Sequence, residues 1–303
     1  MTPPSAEGGS AGREPVSVTP AVLRAWPLPP PGEDKESRGR VLVVGGGRQT
    51  PGAVLLAAES ALRTGAGKLQ VATVSSLAPH VAVALPEASV VGLPETADGD
   101  IAPSAAPAIL ELAAGCAAVL LGPGMSDVGA AAELLAAVAP DLDTTTVLDA
   151  LALAYLTGRP EGVRHLGGRV VLTPNREELA QTLGLEGSGV DQAPADATVE
   201  LARRTGAVVA SGGPVSWVAG PQEGLWEVET GGPGLGVSGS GDVQSGVVLG
   251  LTARGATPAQ AAVWGAYLHG RAGDRLAAQV GAVGFLAREL PAQIPQVLSE
   301  VEV

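Results

Sequence analysis

The chain has 303 residues, of which 46% are hydrophobic but 2% aromatic, so a sizeable core has to be built from Ala, Val and Leu rather than from rings. A formal net charge of −13, from 18 Lys and Arg against 31 Asp and Glu, argues against a nucleic-acid partner, because phosphate backbones are bound by basic surfaces. The single cysteine, Cys116, and three scattered histidines provide neither a disulfide framework nor metal-ligand spacing. No apolar run reaches membrane-span length, and the first residues lack signal-peptide order, so a soluble cytoplasmic protein with no membrane partner is expected.

Residues 1–17 are rich in Pro, Gly and Ser and read as a disordered tail; residues 18–303 read as one domain. A short helix at 19–25 and an extended arm are expected to pack onto that domain. A β-branched run at 40–45 leads into Gly45-Gly46-Gly47 and a helix from Pro51 to about Thr64, with Pro in its first turn. The spacing is not that of a G-x-G-x-x-G dinucleotide loop. Strands at 69–73, 88–91, 117–121, 145–149 and 169–173 then alternate with helices at 77–84, 103–114, 127–139, 150–156 and from Asn175 to Leu183. Such alternation argues for a parallel sheet with helical crossovers, whose ligands bind beyond the carboxyl ends of the strands. The glycine loops at 45–47 and 122–124 could therefore share one rim. Asp149, at a strand end, can polarise a water, hold Mg²⁺ through waters or cap the next helix. Asn175 and Glu178, three apart at a helix start, share a face; the plain reading is an N-cap.

Residues 185–197 read as a polar surface loop, followed by a helix at 197–205 and short strands at 207–211, 215–219 and 225–229 that form hairpin-like structure at the sheet edge. The most informative stretch is 230–255. It is Gly-rich up to Gly241, carries a carboxylate at Asp242, and then places Val243, Val247 and Leu251 at helical spacing. A glycine loop feeding a helix start is an anion site, because the first-turn N–H groups are free and the dipole favours negative charge. Gly239 and Gly241 allow close approach, and Asp242 could take a proton from an attacking hydroxyl; an Asp N-cap is the plain alternative. Helices at 257–278 and 285–298 close the chain, with His269 read as packing.

The run Gly239-Ser240-Gly241-Asp242-Val243, with Ser245-Gly246, resembles the signature of ribokinase-like enzymes and, more narrowly, the ADP- or ATP-dependent NAD(P)H-hydrate dehydratase family. The stretch VLVVGGGRQTPGAVLLAAESALRTGAGKLQVAT, the Leu-Gly-Pro-Gly-Met segment ending at Met125, the Leu148-Asp149-Ala150 segment, the residues from Tyr267 to Asp274 and the ending from Gly284 are similar to that family too. The resemblance covers about residues 38 to 299. It implies a ribokinase-like three-layer α/β/α sandwich with a mostly parallel central sheet. It also implies repair of hydrated NADH or NADPH, in which an adenine nucleotide phosphorylates the ring hydroxyl and phosphate is then eliminated. By the same resemblance Ala53, Gly124, Asn175 and Asp242 bind substrate, and Ser211, Gly212, Gly213, Pro214 and Val215 bind the nucleotide together with Gly239, Ser240 and Gly241. Asp242 is the catalytic residue, Glu178 helps organise Mg²⁺, ADP or ATP is required, and the assembly is a homo-oligomer of the tetrameric kind. The chain departs from the family pattern where Ser211 replaces a Lys, Asn175 a His and Leu151 a second Asp. These departures keep two rivals open: a ribokinase-like kinase of a small alcohol or vitamin precursor, and a catalytically degenerate nucleotide-binding member.

Overall fold

Runs of four to seven Val- and Leu-rich residues are too short for stable helices but suit strands covered on both faces. In the computed structural model, which describes residues 14–185, 189–222 and 224–302, they become the middle of one ten-stranded sheet. The strands are β1 (Val16–Ser17), β2 (Arg40–Val44), β3 (Lys68–Val74), β4 (Ala88–Leu93), β5 (Ala118–Leu121), β6 (Thr145–Leu148), β7 (Val170–Leu172), β8 (Val208–Ser211), β9 (Ser216–Ala219) and β10 (Leu225–Val228). Their order is β1-β10-β9-β8-β7-β6-β5-β2-β3-β4. From β8 through to β4 all neighbours pair in parallel, while β9 runs antiparallel to both β8 and β10. Within β2, Val41 and Val43 enter the core on one face and Leu42 and Val44 that on the other, as a period of two requires.

Helices cover both faces. On one side lie α1 (Pro20–Ala25), α2 (Gly52–Thr64), α3 (Ala78–Ala84), α9 (Ser240–Ala253), α10 (Pro258–Gln279) and α11 (Leu290–Glu302). On the other lie α4 (Ala106–Ala113), α5 (Val128–Val138), α6 (Arg176–Leu183) and α8 (Pro194–Thr205), with the single turn α7 (Gly189–Gln192) just before α8. The result is the expected three-layer sandwich. Helix α9 is buried all round from Val243 to Ala253, which requires close neighbours on every side. Glycines provide the room. A Cβ on Gly246 would overlap the Ala57 carbonyl of α2, one on Gly250 would meet Ala61 and Thr64, and one on Gly265 of α10 would meet Val248. Backbone-to-backbone approach of this kind is how a core with so few aromatics closes.

Several boundaries differ from the sequence expectation. The expected tail lies outside the described residues up to residue 13, but Val16 and Ser17 are ordered as strand, paired in parallel with Trp226 and Glu227. The following arm packs down as expected: Trp26 stacks on Trp226 with centroids 5.8 Å apart, and its carbonyl accepts from Gln260 Nε2 and Trp264 Nε1, both at 3.1 Å. The segment Ala150–Leu156 is 3-10 rather than α-helical, and the Asp149 carboxylate does not cap it but accepts from Thr173. Residues 186–188 of the expected 185–197 loop lie outside the described residues; the rest contains α7 and the start of α8.

Candidate active site

Because β8, β7, β6, β5 and β2 are contiguous and parallel, the loops after them share one edge of the sheet. The chain leaves β2 toward β3 and β4, then returns to β5 on the other side, so the strand order reverses between β2 and β5. Such a switch point opens a crevice where α/β sheets bind ligands. Here the two glycine loops meet. Gly46 N–H donates to Pro123 O at 2.8 Å, and Gly47 N–H and Thr50 O–H both donate to Gly124 O at 2.7 Å. A Cβ on Gly124 would stand 3.0 Å from that of Ala53, so these two expected substrate residues lie side by side. Further along the rim, Gly212 N–H donates to Pro174 O at 3.0 Å and joins the 211–215 loop to the start of α6.

Carboxyl groups crowd the centre of this rim. Asp149 leaves β6 fully buried, with Oδ1 accepting from Thr173 Oγ1 at 2.8 Å. Its position is set by two backbone features. A Cβ on Gly122 would overlap the Asp149 carbonyl oxygen, and Ala150 holds a φ of 50°, a left-handed value that turns the chain sharply away from the strand. Burial, followed by the charges of Asp242 and Glu178, pushes the Asp149 carboxyl up to about 8, against hydrogen bonds from Thr173 and Ser245. Asp242 is half-buried and is pushed up to about 6, first by burial and then by the Glu178 charge. Glu178 is raised chiefly by burial, opposed by the N–H of Asn175. Like charges this close do not all ionise together. At neutral pH Asp149 keeps its proton, and Asp242 carries charge facing the rim.

Asp242 sits in the first turn of α9. Gly239 precedes it at φ 91°, a conformation that favours glycine, and no side chain caps the helix. Ser240 N–H donates to Val237 O at 3.1 Å, while the N–H groups of Gly241 and Asp242 have no intrahelical acceptor and lie beside the carboxylate. Behind the loop, Ser240 Oγ lies 2.9 Å from His269 Nε2, both buried. His269 was expected only to pack; instead it holds the residue at the centre of the glycine loop. Burial holds its pKa down at about 4, against a hydrogen bond with the Ser240 backbone, so the ring is neutral.

The remaining expected site residues fall along the same rim. Asn175 does cap α6: its Oδ1 accepts from Glu178 N–H, and Glu178 Oε2 accepts from Asn175 N–H, each at 2.9 Å. Ser211 is buried, while Gly213 and Pro214 are exposed. Among the described residues no group of His, Cys, Asp or Glu side chains is arranged to hold a metal ion directly. Two surface clefts lie elsewhere, one between α6 and α8 at Leu183 and Ala197, the other beneath the N-terminal arm at Pro30 and Trp264. Among the described residues no helix is long and apolar enough to cross a membrane. Thr173, Ser245 and His269 were not foreseen as site residues, since each gains its role from a partner distant in sequence or on another element.

A mostly parallel sandwich with an uncapped helix start and an acidic cluster at its switch point defines an enzyme of the ribokinase-like class. A ribokinase-like superfamily protein from Enterococcus faecalis has the same fold, at a TM-score of 0.79 and 21% identity, over 97% of this chain and 99% of that one. Residues 41–296 match the profile of the family described as NAD(P)H-hydrate dehydratase, and the chain belongs to that family. It is 46% identical over 285 residues to an ADP-dependent (S)-NAD(P)H-hydrate dehydratase of Xanthomonas campestris pv. campestris, covering 94% of this chain and 96% of that one. It is 35% identical to the bifunctional NAD(P)H-hydrate repair enzyme Nnr of Moorella thermoacetica, across 87% of this chain and 50% of that protein, so it spans half of that relative. The Bacillus subtilis ADP/ATP-dependent NAD(P)H-hydrate dehydratase, co-crystallized with ATP/Mg²⁺, is similar at a TM-score of 0.77 and 27% identity, over 94% of this chain and 98% of that one.

Proposed function

We propose that this chain is an ADP-dependent (S)-NAD(P)H-hydrate dehydratase that repairs hydrated NADH and NADPH. The observation that carries the reading is the position of Asp242, a half-buried carboxylate in the uncapped first turn of α9, beside Asp149 and Glu178 at the strand-end rim. In this reading Asp242 takes the proton from the hydroxyl on the damaged nicotinamide ring, and that oxygen attacks the terminal phosphoryl group of ADP while AMP leaves. The N–H groups of Gly239, Gly241 and Asp242 hold the charged phosphoryl oxygens, that of Ser240 being taken by Val237 O. In the second stage the carbon–oxygen bond breaks and its electron pair leaves with phosphate, aided by the ring nitrogen. The neighbouring carbon gives its proton to solvent, which restores the double bond.

Ala53 and Gly124 line the substrate side, with Asn175 further along. Residues 211–215 and 239–241 take the nucleotide. Mg²⁺ suits Glu178 as a ligand through water and phosphate oxygens, since Mg²⁺ commonly keeps waters and takes one or two carboxylates. When bound, it spreads the charge on the phosphates. The protein works as a cytoplasmic homo-oligomer. The sequence feature that favoured a small-alcohol kinase, Asn175 three residues before Glu178, has a local explanation in the α6 capping box.

The test is incubation with (S)-hydrated NADH and ADP, following the reduced-nicotinamide absorbance and inorganic phosphate together. Recovery of both in equal amounts supports the dehydratase. A stable phosphorylated product would favour a kinase, and ADP binding without turnover a degenerate member.

A further inference from the structure

Arg176 begins α6 and lies beside the 211–215 loop. Its Nη1 donates to Asp191 Oδ1 at 3.0 Å, which fixes one side of the guanidinium. The opposite edge faces Gly213: a Cβ built there would stand 2.8 Å from Arg176 Nε and 3.2 Å from Nη2. Nε is buried and has no hydrogen-bond partner, although the side chain as a whole is 32% exposed. A charged N–H left unspent in a shielded place is costly, and finding one points to an acceptor that arrives from outside. The surroundings favour an anion of high charge. Glu178 and Asp242 make the rim acidic, Ser211 adds no charge, and Gly212 N–H is already used by Pro174 O. A nucleotide diphosphate seated on this loop meets strong repulsion unless a cation stands beside it. Gly213 covers the free edge of Arg176 with backbone alone, so a small shift of the loop opens the Nε–Nη2 fork.

We infer that Arg176 binds the phosphates of the nucleotide held by residues 211–215, presenting Nε and Nη2 as a two-pronged donor while Asp191 holds Nη1. The planar fork matches non-bridging phosphate oxygens, and its charge offsets the neighbouring carboxylates. This inference rests on the reading of 211–215 as the nucleotide loop.

The experiment is calorimetric titration of the intact chain with ADP and with adenosine, for the wild type and for Arg176→Ala, Arg176→Lys and Asp191→Asn, each checked for folding by circular dichroism. Arg176→Ala is expected to weaken ADP about 10- to 100-fold and leave adenosine unchanged, the loss of one or two charge-assisted hydrogen bonds. Arg176→Lys recovers part of the affinity. Asp191→Asn, which keeps the cation and breaks the ion pair, stays within about threefold of wild type, as expected for an exposed pair. Unchanged ADP affinity in folded Arg176→Ala, with wild type binding normally, overturns the role of Arg176 alone. A wild type that binds no ADP overturns the nucleotide reading and this inference with it.

Discussion

His269 Nε2 and Ser240 Oγ lie 2.9 Å apart, joining the middle of α10 to the first residue of α9. The ring is buried and neutral, so the bond orders the glycine loop without adding charge. Truncation by His269→Ala leaves a void and an unpaired hydroxyl, expected to cost about 2–4 kcal/mol in urea unfolding. His269→Gln, which keeps a polar atom in place, is expected to lose less. The pH dependence has a definite sign. The folded value, about 4, lies below the ordinary 6.5, so the unfolded chain takes up the proton first. Stability falls as pH drops through the window between those values, and His269→Gln flattens that fall.

Asp242→Asn keeps the shape of the side chain and removes the base. Turnover is expected to drop about 10²- to 10⁴-fold, with ADP affinity little changed. Because the wild-type carboxyl is held at about 6, kcat/KM falls as pH goes below that value. Burial is the larger cause and stays, but the Glu178 charge is the second. Glu178→Gln is therefore expected to move the acid limb to lower pH. A pH–rate profile of Glu178→Gln against wild type checks this, and an unmoved limb would separate Asp242 from Glu178.

Asp149 behaves in the opposite sense to His269. Its carboxyl is held at about 8 in the folded chain, far above the ordinary 3.8, so the folded state keeps a proton that the unfolded state releases. The contribution to stability is full below the unfolded value and declines as pH rises toward 8. Asp149→Asn is uncharged throughout and still accepts the Thr173 O–H. It is expected to be more stable than wild type by at least about 1 kcal/mol at pH 8, with the gap closing toward pH 4. Denaturant melts at both pH values measure it.

Gly246 and Gly241 stand on the same helix and respond oppositely to alanine. Alanine is intrinsically favoured over glycine within a helix by about 1 kcal/mol. At Gly246 the new Cβ overlaps the Ala57 carbonyl of α2, so overpacking wins and a net loss of about 1–3 kcal/mol is expected. At Gly241 nothing lies within 4 Å, so stability is kept or gained. The methyl there would nonetheless intrude on the phosphoryl position and weaken ADP. Paired unfolding and binding measurements on the two variants separate packing from ligand approach.

Much of this arrangement was readable along the chain. The short apolar runs that become β2 to β8, the glycine loops after β2 and β5, and the helix start at Asp242 are local patterns, and local sterics and solvation are enough to produce them. Asp149 and Glu178 could be placed at strand or helix ends, but the effect of Glu178 on Asp242, and of both on Asp149, could not be foreseen. Nor could Arg176 be placed on Gly213, His269 on Ser240, or Val16 and Ser17 on β10. Each depends on distance through space between segments far apart in sequence or on different elements. Those distances come from the strand order, with β5 to β8 stacked on one side of β2, and from the close seating of α9 against α2 and α10. Proton affinity follows burial and neighbouring charge, and neither exists until the layers have closed.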